Sequence, residues 1–170
     1  MFLTTKLWPT DYGDISSVHP AARLSLQRLQ TDYLDLFLMH WPDVMAEPDI
    51  QDYERHRKET LRSTWRSLEL LLDKDCCRAI GVSNFQTQDL AILLEEASLA
   101  PHVNQCEFHP CQNPIDLRKF CDDNKIQFQV LHRPYQSNQY LFQDKFYFTG
   151  TLPLGQGQIV VRPSCHGGGL

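Results

Sequence analysis

The chain has 170 residues, 42% of them hydrophobic and 22% charged, with a formal net charge of −5, which suits one globular domain with a core of ordinary size. Basic residues are scattered among an acidic excess, so neither nucleic acid nor an anionic membrane surface is an expected partner. No apolar run approaches the roughly 20 residues of a membrane span, and Lys6 with the polar stretch 10–17 interrupts any signal-peptide core.

From Phe2 to Leu131 short apolar runs alternate with longer amphipathic ones, the rhythm of βα units around a parallel sheet. In chain order the strands fall at Phe2–Lys6, Leu34–Met39, Ala79–Val82, Val103–Glu107 and Ile126–Val130, each apolar enough to be covered on both faces. The helices fall at Pro20–Leu29, with Leu24, Leu26 and Leu29 on one side; at Leu61–Leu72, with Trp65, Leu68 and Leu72 in register; at Gln86–Ala97; and at Pro114–Asn124, where Asn113 is the expected N-cap and Pro114 the first helical residue. The acidic segment Asp43–Tyr53 reads as a long loop after the second strand, and the charges of Glu54–Glu59 as a solvated helix face. Beyond Leu131 the helical period is lost. Tyr140–Phe148 and Gln158–Val161 read as short strands or collapsed coil, and Gly155-Gln156-Gly157-Gln158 as a turn, not a phosphate loop. The chain thus divides into residues 1–131 and a divergent tail, 132–170.

The six cysteines have neither Cys-x-x-Cys spacing nor a regular disulfide pattern, so reduced thiols and a cytoplasmic location are expected. Cys106, His109 and Cys111 make at most half of a zinc site, with no fourth ligand in view, and no metal is expected. Of the carboxylates near strands, Asp32, Asp35 and Glu107, only Glu107 invites an acid–base role, and it has no partner at defined spacing.

Lys6 and His40 each stand at the end of a buried strand, so in a parallel barrel both project at the C-terminal face, where sites are built. A lysine there lowers the pKa of a neighbouring acid, and a histidine holds a carbonyl oxygen by hydrogen bond. The plainer reading makes Lys6 a surface residue and pairs His40 with a backbone carbonyl. Ser83 and Asn84 follow the strand Ala79–Val82 and present an amide and a hydroxyl to solvent; as an alternative both are strong N-cap residues for the helix beginning near Gln86.

Four segments, Thr5-Lys6-Leu7-Trp8-Pro9, Leu34 to Pro42 ending in His40-Trp41-Pro42, Arg78 to Phe85 ending in Ser83-Asn84-Phe85, and Val103 to Pro110, resemble the aldo-keto reductase family in motif and in order. The resemblance covers Phe2 to Gln129. It implies an α/β fold comprising about strands 3 to 7 of a (β/α)8 TIM barrel whose full length is about twice that of this chain, and the NADPH-dependent reduction of aldehydes or ketones to alcohols. By the same resemblance Lys6 matches the catalytic lysine and His40 the histidine that orients the substrate carbonyl. Ser83, Asn84 and Gln105 match residues that grip the nicotinamide carboxamide of NADP(H), and Trp8 and Trp41 look like pocket-wall aromatics.

The pattern departs from the family at both ends. The family's aspartate and proton-donating tyrosine precede the segment matched by Met1, and no tyrosine in 1–129 occupies that position. After the fifth strand, Val130-Leu131-His132-Arg133-Pro134-Tyr135-Gln136-Ser137 replaces the family's stacking aromatic and Ser-Pro-Leu-Gly-like turn, and the segment that grips the 2'-phosphate is not recognisable. The resemblance therefore implies weakened cofactor binding and impaired catalysis, with a non-catalytic interaction partner of a full-length relative as the alternative. Five strands of an eight-stranded barrel leave two bare edges, so self-association, or recruitment of the tail as a wall, is expected.

Overall fold

The computed structural model describes residues 2–44, 52–73, 76–107, 114–132, 147–148 and 159–161. Four βα units follow one another: β1 Phe2–Leu7 with α1 Ile15–Leu29, β2 Leu36–Met39 with α2 Tyr53–Asp73, β3 Ile80–Ser83 with α3 Thr87–Leu94, and β4 Val103–Glu107 with α4 Ile115–Asp123, closed by β5 Gln127–His132. Strands β1 to β5 are parallel neighbours in chain order. Two short tail strands, β6 Tyr147–Phe148 and β7 Ile159–Val161, complete a seven-stranded sheet of order β6-β5-β4-β3-β2-β1-β7.

Of the outcomes expected for the bare edges, the structure has the tail supplying part of the wall. β7 runs parallel to β1 along Phe2–Thr4, and β6 runs antiparallel to β5 at Leu131 and His132. Each edge is thus covered over part of its length by a segment in which the sequence showed no helical period.

Side chains alternate across the sheet with period two. One face, carrying Leu7, Phe37, Met39, Ile80, Val82 and Cys106, packs with Val18, Ala22, Leu61, Trp65, Leu68, Leu90 and Leu117 of the helices into the main core. The other face carries a small apolar cluster of Leu36, Leu38 and Val103, with Phe2 and Ala79 packed against it. Gly81 lies in that second face because nothing larger fits: a Cβ there would stand 2.5 Å from the Val103 carbonyl and 2.8 Å from Leu38 Cδ2.

Helix boundaries differ from the sequence reading for identifiable reasons. α1 starts at Ile15, capped by Asp14, whose carboxylate accepts from the Ser16 N–H at 2.9 Å; Pro20 sits inside the helix and does not open it. Its buried stripe is Val18 and Ala22, with Leu26 and Leu29 behind them, while Leu24 is 43% exposed and does not belong to the face. α2 begins eight residues before Leu61, and Leu71, not Leu72, shares the fully buried stripe with Trp65 and Leu68. The charged run 54–59 is only partly solvated. Arg55 pairs with Glu59 on the exposed side, but the Arg57 side chain is 14% exposed and ion-paired with Asp89. α3 is capped by Gln86, whose N–H donates to Asp89 Oδ2 at 2.8 Å, so neither Ser83 nor Asn84 is its cap. At α4 Pro114 occupies the flanking position and Ile115 the first helical one; Asn113 lies outside the described residues.

Candidate functional site

In a parallel sheet every strand presents its C-terminal end at one edge of the layer, and here that edge gathers Lys6, His40, Ser83 and Gln105. Registers place Lys6 beside Leu38, two residues before His40, and Ser83 beside Gln105. All four lie on the Leu36–Leu38–Val103 side of the sheet, above that apolar floor.

Their hydrogen bonds form one network. Lys6 Nζ donates to Ser83 Oγ at 3.2 Å, and Ser83 Oγ donates to the Gln105 carbonyl at 2.9 Å. Asn84 Nδ2 donates to Ser83 Oγ at 3.2 Å and to the His40 carbonyl at 3.0 Å. The Asn84 backbone N–H donates to the Gln105 carbonyl at 2.9 Å. Asn84 has φ +64°, a left-handed conformation that asparagine tolerates better than most residues and that turns its amide back over β2.

The expectation that Ser83 faces solvent is not met: Ser83 is 1% exposed, covered by the groups that bond to it. Its hydroxyl gives its one proton and accepts two, so its capacity is spent within the protein. A ligand reaches Ser83 Oγ only by exchanging with Lys6 or Asn84. Gln105 differs. Its Nε2 donates to Gln129 Oε1 at 2.9 Å, and its own Oε1 is buried without a hydrogen-bond partner among the described residues. A buried carbonyl oxygen left unpaired is costly, and this one belongs to a residue in register with Ser83 at the C-terminal end of β3. Gln129 escaped the sequence reading, although Gln127 and Gln129, alternating on an otherwise apolar strand, were the available signal.

The His40 ring lies between the two tryptophans, 4.7 Å from Trp8 edge-on and 5.7 Å from Trp41 in a stack. Trp8 and Trp41 are 40% and 44% exposed. Burial first, and the Lys6 charge second, push the His40 pKa down to about 4, which leaves a neutral imidazole at pH 7. A histidine neutral in the folded state and with an ordinary pKa when unfolded binds fewer protons folded. Stability linked to His40 is therefore complete above the unfolded value of about 6.5 and is lost as pH falls toward 4. NMR titration of the His40 ring protons should show a midpoint near pH 4, and Lys6→Met should raise it without restoring the ordinary value, because burial is the larger cause.

Tyr12 stands behind this cluster: its hydroxyl donates to the Trp41 carbonyl at 2.8 Å and accepts from the Trp41 N–H at 3.2 Å. Burial drives its pKa well up, so its proton stays committed to the backbone. Asp35 is remote from the site, accepting from the Leu3 N–H at 2.8 Å and pairing with Arg78 at 3.0 Å at the opposite end of the sheet. Glu107 is exposed at the end of β4. Of the half zinc site, His109 and Cys111 lie outside the described residues. Cys106 Sγ bonds Asn104 Oδ1 at 3.3 Å, and burial pushes its thiol up to about 12. No cluster of metal-ligating side chains occurs among the described residues.

A parallel βα-repeat sheet that gathers polar side chains at the C-terminal ends of its strands is the arrangement of α/β-barrel proteins, which build their sites at that face. The sequence model of the Aldo/keto reductase family matches residues 1–137, and the chain belongs to that family. It is 42% identical to the glyoxal reductase of Bacillus subtilis over 130 residues, spanning 76% of this chain and 42% of that protein. It is 46% identical to an uncharacterised oxidoreductase of Caenorhabditis elegans over 123 residues, spanning 72% of this chain and 36% of that protein. Among solved structures it resembles an aldo/keto reductase from Brucella melitensis with a TM-score of 0.66 and 38% identity, over 76% of this chain and 46% of that one. It also resembles a Bombyx mori aldo-keto reductase in complex with NADP, with a TM-score of 0.65 and 32% identity over 76% of this chain and 40% of that one. The chain therefore spans less than half the length of these relatives.

Proposed function

We propose that the described residues form the part of an aldo-keto reductase site that holds the nicotinamide carboxamide of NADP(H) and orients a small aldehyde or ketone. The observation that carries this reading is the unpaired, buried Gln105 Oε1 beside Ser83 and Asn84. A carboxamide has one N–H2 and one carbonyl; this cradle holds an acceptor waiting for the first, and for the second the Asn84 amide, which a ligand reaches by exchange with its present partners. The site residues therefore fit the group.

NADPH, when bound, supplies the hydride. The chain's own residues position and stabilise. His40, neutral, has one ring N–H to donate to the carbonyl oxygen. Lys6 carries the positive charge toward which negative charge on that oxygen develops. Trp8 and Trp41 offer flat apolar faces to the substrate carbons. Tyr12 is not the acid that protonates this oxygen, since both sides of its hydroxyl are bound to Trp41. A site run without a positioned proton donor gives up about 10²–10⁴-fold in rate. Impaired turnover by these residues alone follows, together with cofactor binding weaker than that of a site with its own adenosine-phosphate grip. Residues 1–131 carry this site, and in the tail Tyr147–Phe148 and Ile159–Val161 cover part of the two sheet edges. The barrel position of β1 to β5 is that of strands 3 to 7. The free thiols of Cys76, Cys77, Cys106 and Cys121 support a reducing, cytoplasmic setting, and no helix among the described residues is long and apolar enough to cross a membrane.

A titration of intrinsic tryptophan fluorescence with NADPH tests the reading. Trp8 and Trp41 are quenched on binding, and Gln105→Leu weakens the affinity roughly tenfold, the worth of a hydrogen bond and its unsatisfied partner. Quenching unchanged in Gln105→Leu would remove the carboxamide assignment.

A second reading, association with another chain, rests on the partial edge cover. Beside β1, a groove of about 260 Å³ is lined by Lys6, Trp8, Leu24 and Arg28 among others, and β7 reaches only Phe2–Thr4 of that strand. Light scattering that finds a clean monomer would dispose of it.

A further inference from the structure

Gln105 and Gln129 face each other across neighbouring strands in direct register, and both are almost fully buried, at 3% and 4% exposed. The Gln105 main chain is pinned, because its carbonyl already accepts from Ser83 Oγ and from the Asn84 N–H. Only the side-chain amide is left to turn. In the observed orientation Gln105 Nε2 donates to Gln129 Oε1 at 2.9 Å, and Gln105 Oε1 is left as the buried unpaired acceptor. Turning Gln105 alone would set two carbonyl oxygens against each other at hydrogen-bond distance, exchanging an attraction for a repulsion.

We propose that Gln129 is a positioning residue: by accepting from the Gln105 amide it fixes Gln105 as an acceptor toward the ligand, and so selects nicotinamide nucleotides whose ring substituent carries an N–H donor. The inference rests on the NADP(H) reading above and deepens it. An unsubstituted carboxamide satisfies Gln105 Oε1. An acetyl group of the same shape keeps the carbonyl but replaces the NH2 with a methyl, and leaves the oxygen buried and unpaired. A site that hydrogen-bonds a substrate N–H rejects the analogue without it far better than a purely apolar pocket rejects an isostere.

The test measures the dissociation constants of NADP+ and its 3-acetylpyridine analogue by isothermal titration of the full chain, and compares their ratio among variants. The ratio cancels changes in overall affinity. The wild type should prefer NADP+ by about tenfold. Gln129→Glu should keep the preference, because its carboxylate also accepts from the Gln105 amide. Gln129→Met, of similar volume, should bring the ratio to near one by letting Gln105 turn, and Gln129→Ala serves the same purpose if the methionine variant lacks a cooperative unfolding transition. A Met or Ala variant that retains the tenfold preference overturns the role of Gln129, as does a wild type that prefers the acetyl analogue. A wild type that binds neither nucleotide overturns the cofactor reading itself, a distinct result that takes this inference with it.

Discussion

Arg57→Met should destabilise the chain by about 3–5 kcal/mol, a large part of the 5–15 kcal/mol or so that holds a typical domain together. The reason is burial. The Arg57 and Asp89 side chains are 14% and 10% exposed, so removing the guanidinium strands a carboxylate that water can hardly reach. Arg57 also joins two parts of the site: its Nε donates to the Pro42 carbonyl at 2.9 Å, directly after His40 and Trp41, while Asp89 accepts from the Gln86 N–H at 2.8 Å, two residues after Asn84. Urea unfolding measures the loss, and the double variant Arg57→Met/Asp89→Asn should recover part of it, because the stranded charge is gone. A loss under 1 kcal/mol for the single variant would place the pair in the solvated class, whose members are worth little.

Trp65→Ala should cost a similar amount, about 3–5 kcal/mol, by a different route. Trp65 is 1% exposed in the layer between sheet and helices, and its Nε1 donates to the Leu99 carbonyl at 3.0 Å. Alanine removes the packing and leaves that carbonyl short of a donor. Trp65→Phe keeps most of the volume and should cost about 1–2 kcal/mol. Denaturant midpoints for the two variants separate the cavity from the hydrogen bond, and equal midpoints would mean that the indole packs less tightly than its burial indicates.

The strands and their order were legible because each is a compact apolar run, and Val103–Glu107 matches to the residue. Helices were legible where apolar residues repeat and were missed where something else fills the stripe. Arg57 stands at a buried position of α2 through its ion pair, so the first two turns looked like solvated charge. Pro20 looked like a helix start because proline favours that position, whereas Asp14 supplies the cap six residues earlier. The tail strands fall within the runs Tyr140–Phe148 and Gln158–Val161 that read as short strands or coil, but their pairing with β1 and β5 was not legible, because backbone pairing between distant segments leaves little trace in a single sequence.

At the site, the sequence named Lys6, His40, Ser83, Asn84, Gln105, Trp8 and Trp41, and the structure brings them to one end of the sheet. What it could not show is how they spend their hydrogen bonds. Ser83 looked exposed and is saturated and buried, while Gln105 keeps the one buried unpaired side-chain oxygen among the described residues. The neutral state of His40 likewise depends on burial and on the approach of Lys6 from a strand more than thirty residues away, which no local pattern carries.

The most direct test of the carboxamide cradle is a thermal unfolding scan of the purified chain with and without NADPH. A ligand that binds only the folded state at about a hundred times its dissociation constant adds about 2.7 kcal/mol, and for a chain of this size that raises the midpoint by roughly 5–10 °C. The cradle predicts a single cooperative transition that moves upward with NADPH and moves distinctly less in Gln105→Leu. A cooperative transition that NADPH leaves in place at every concentration would contradict it.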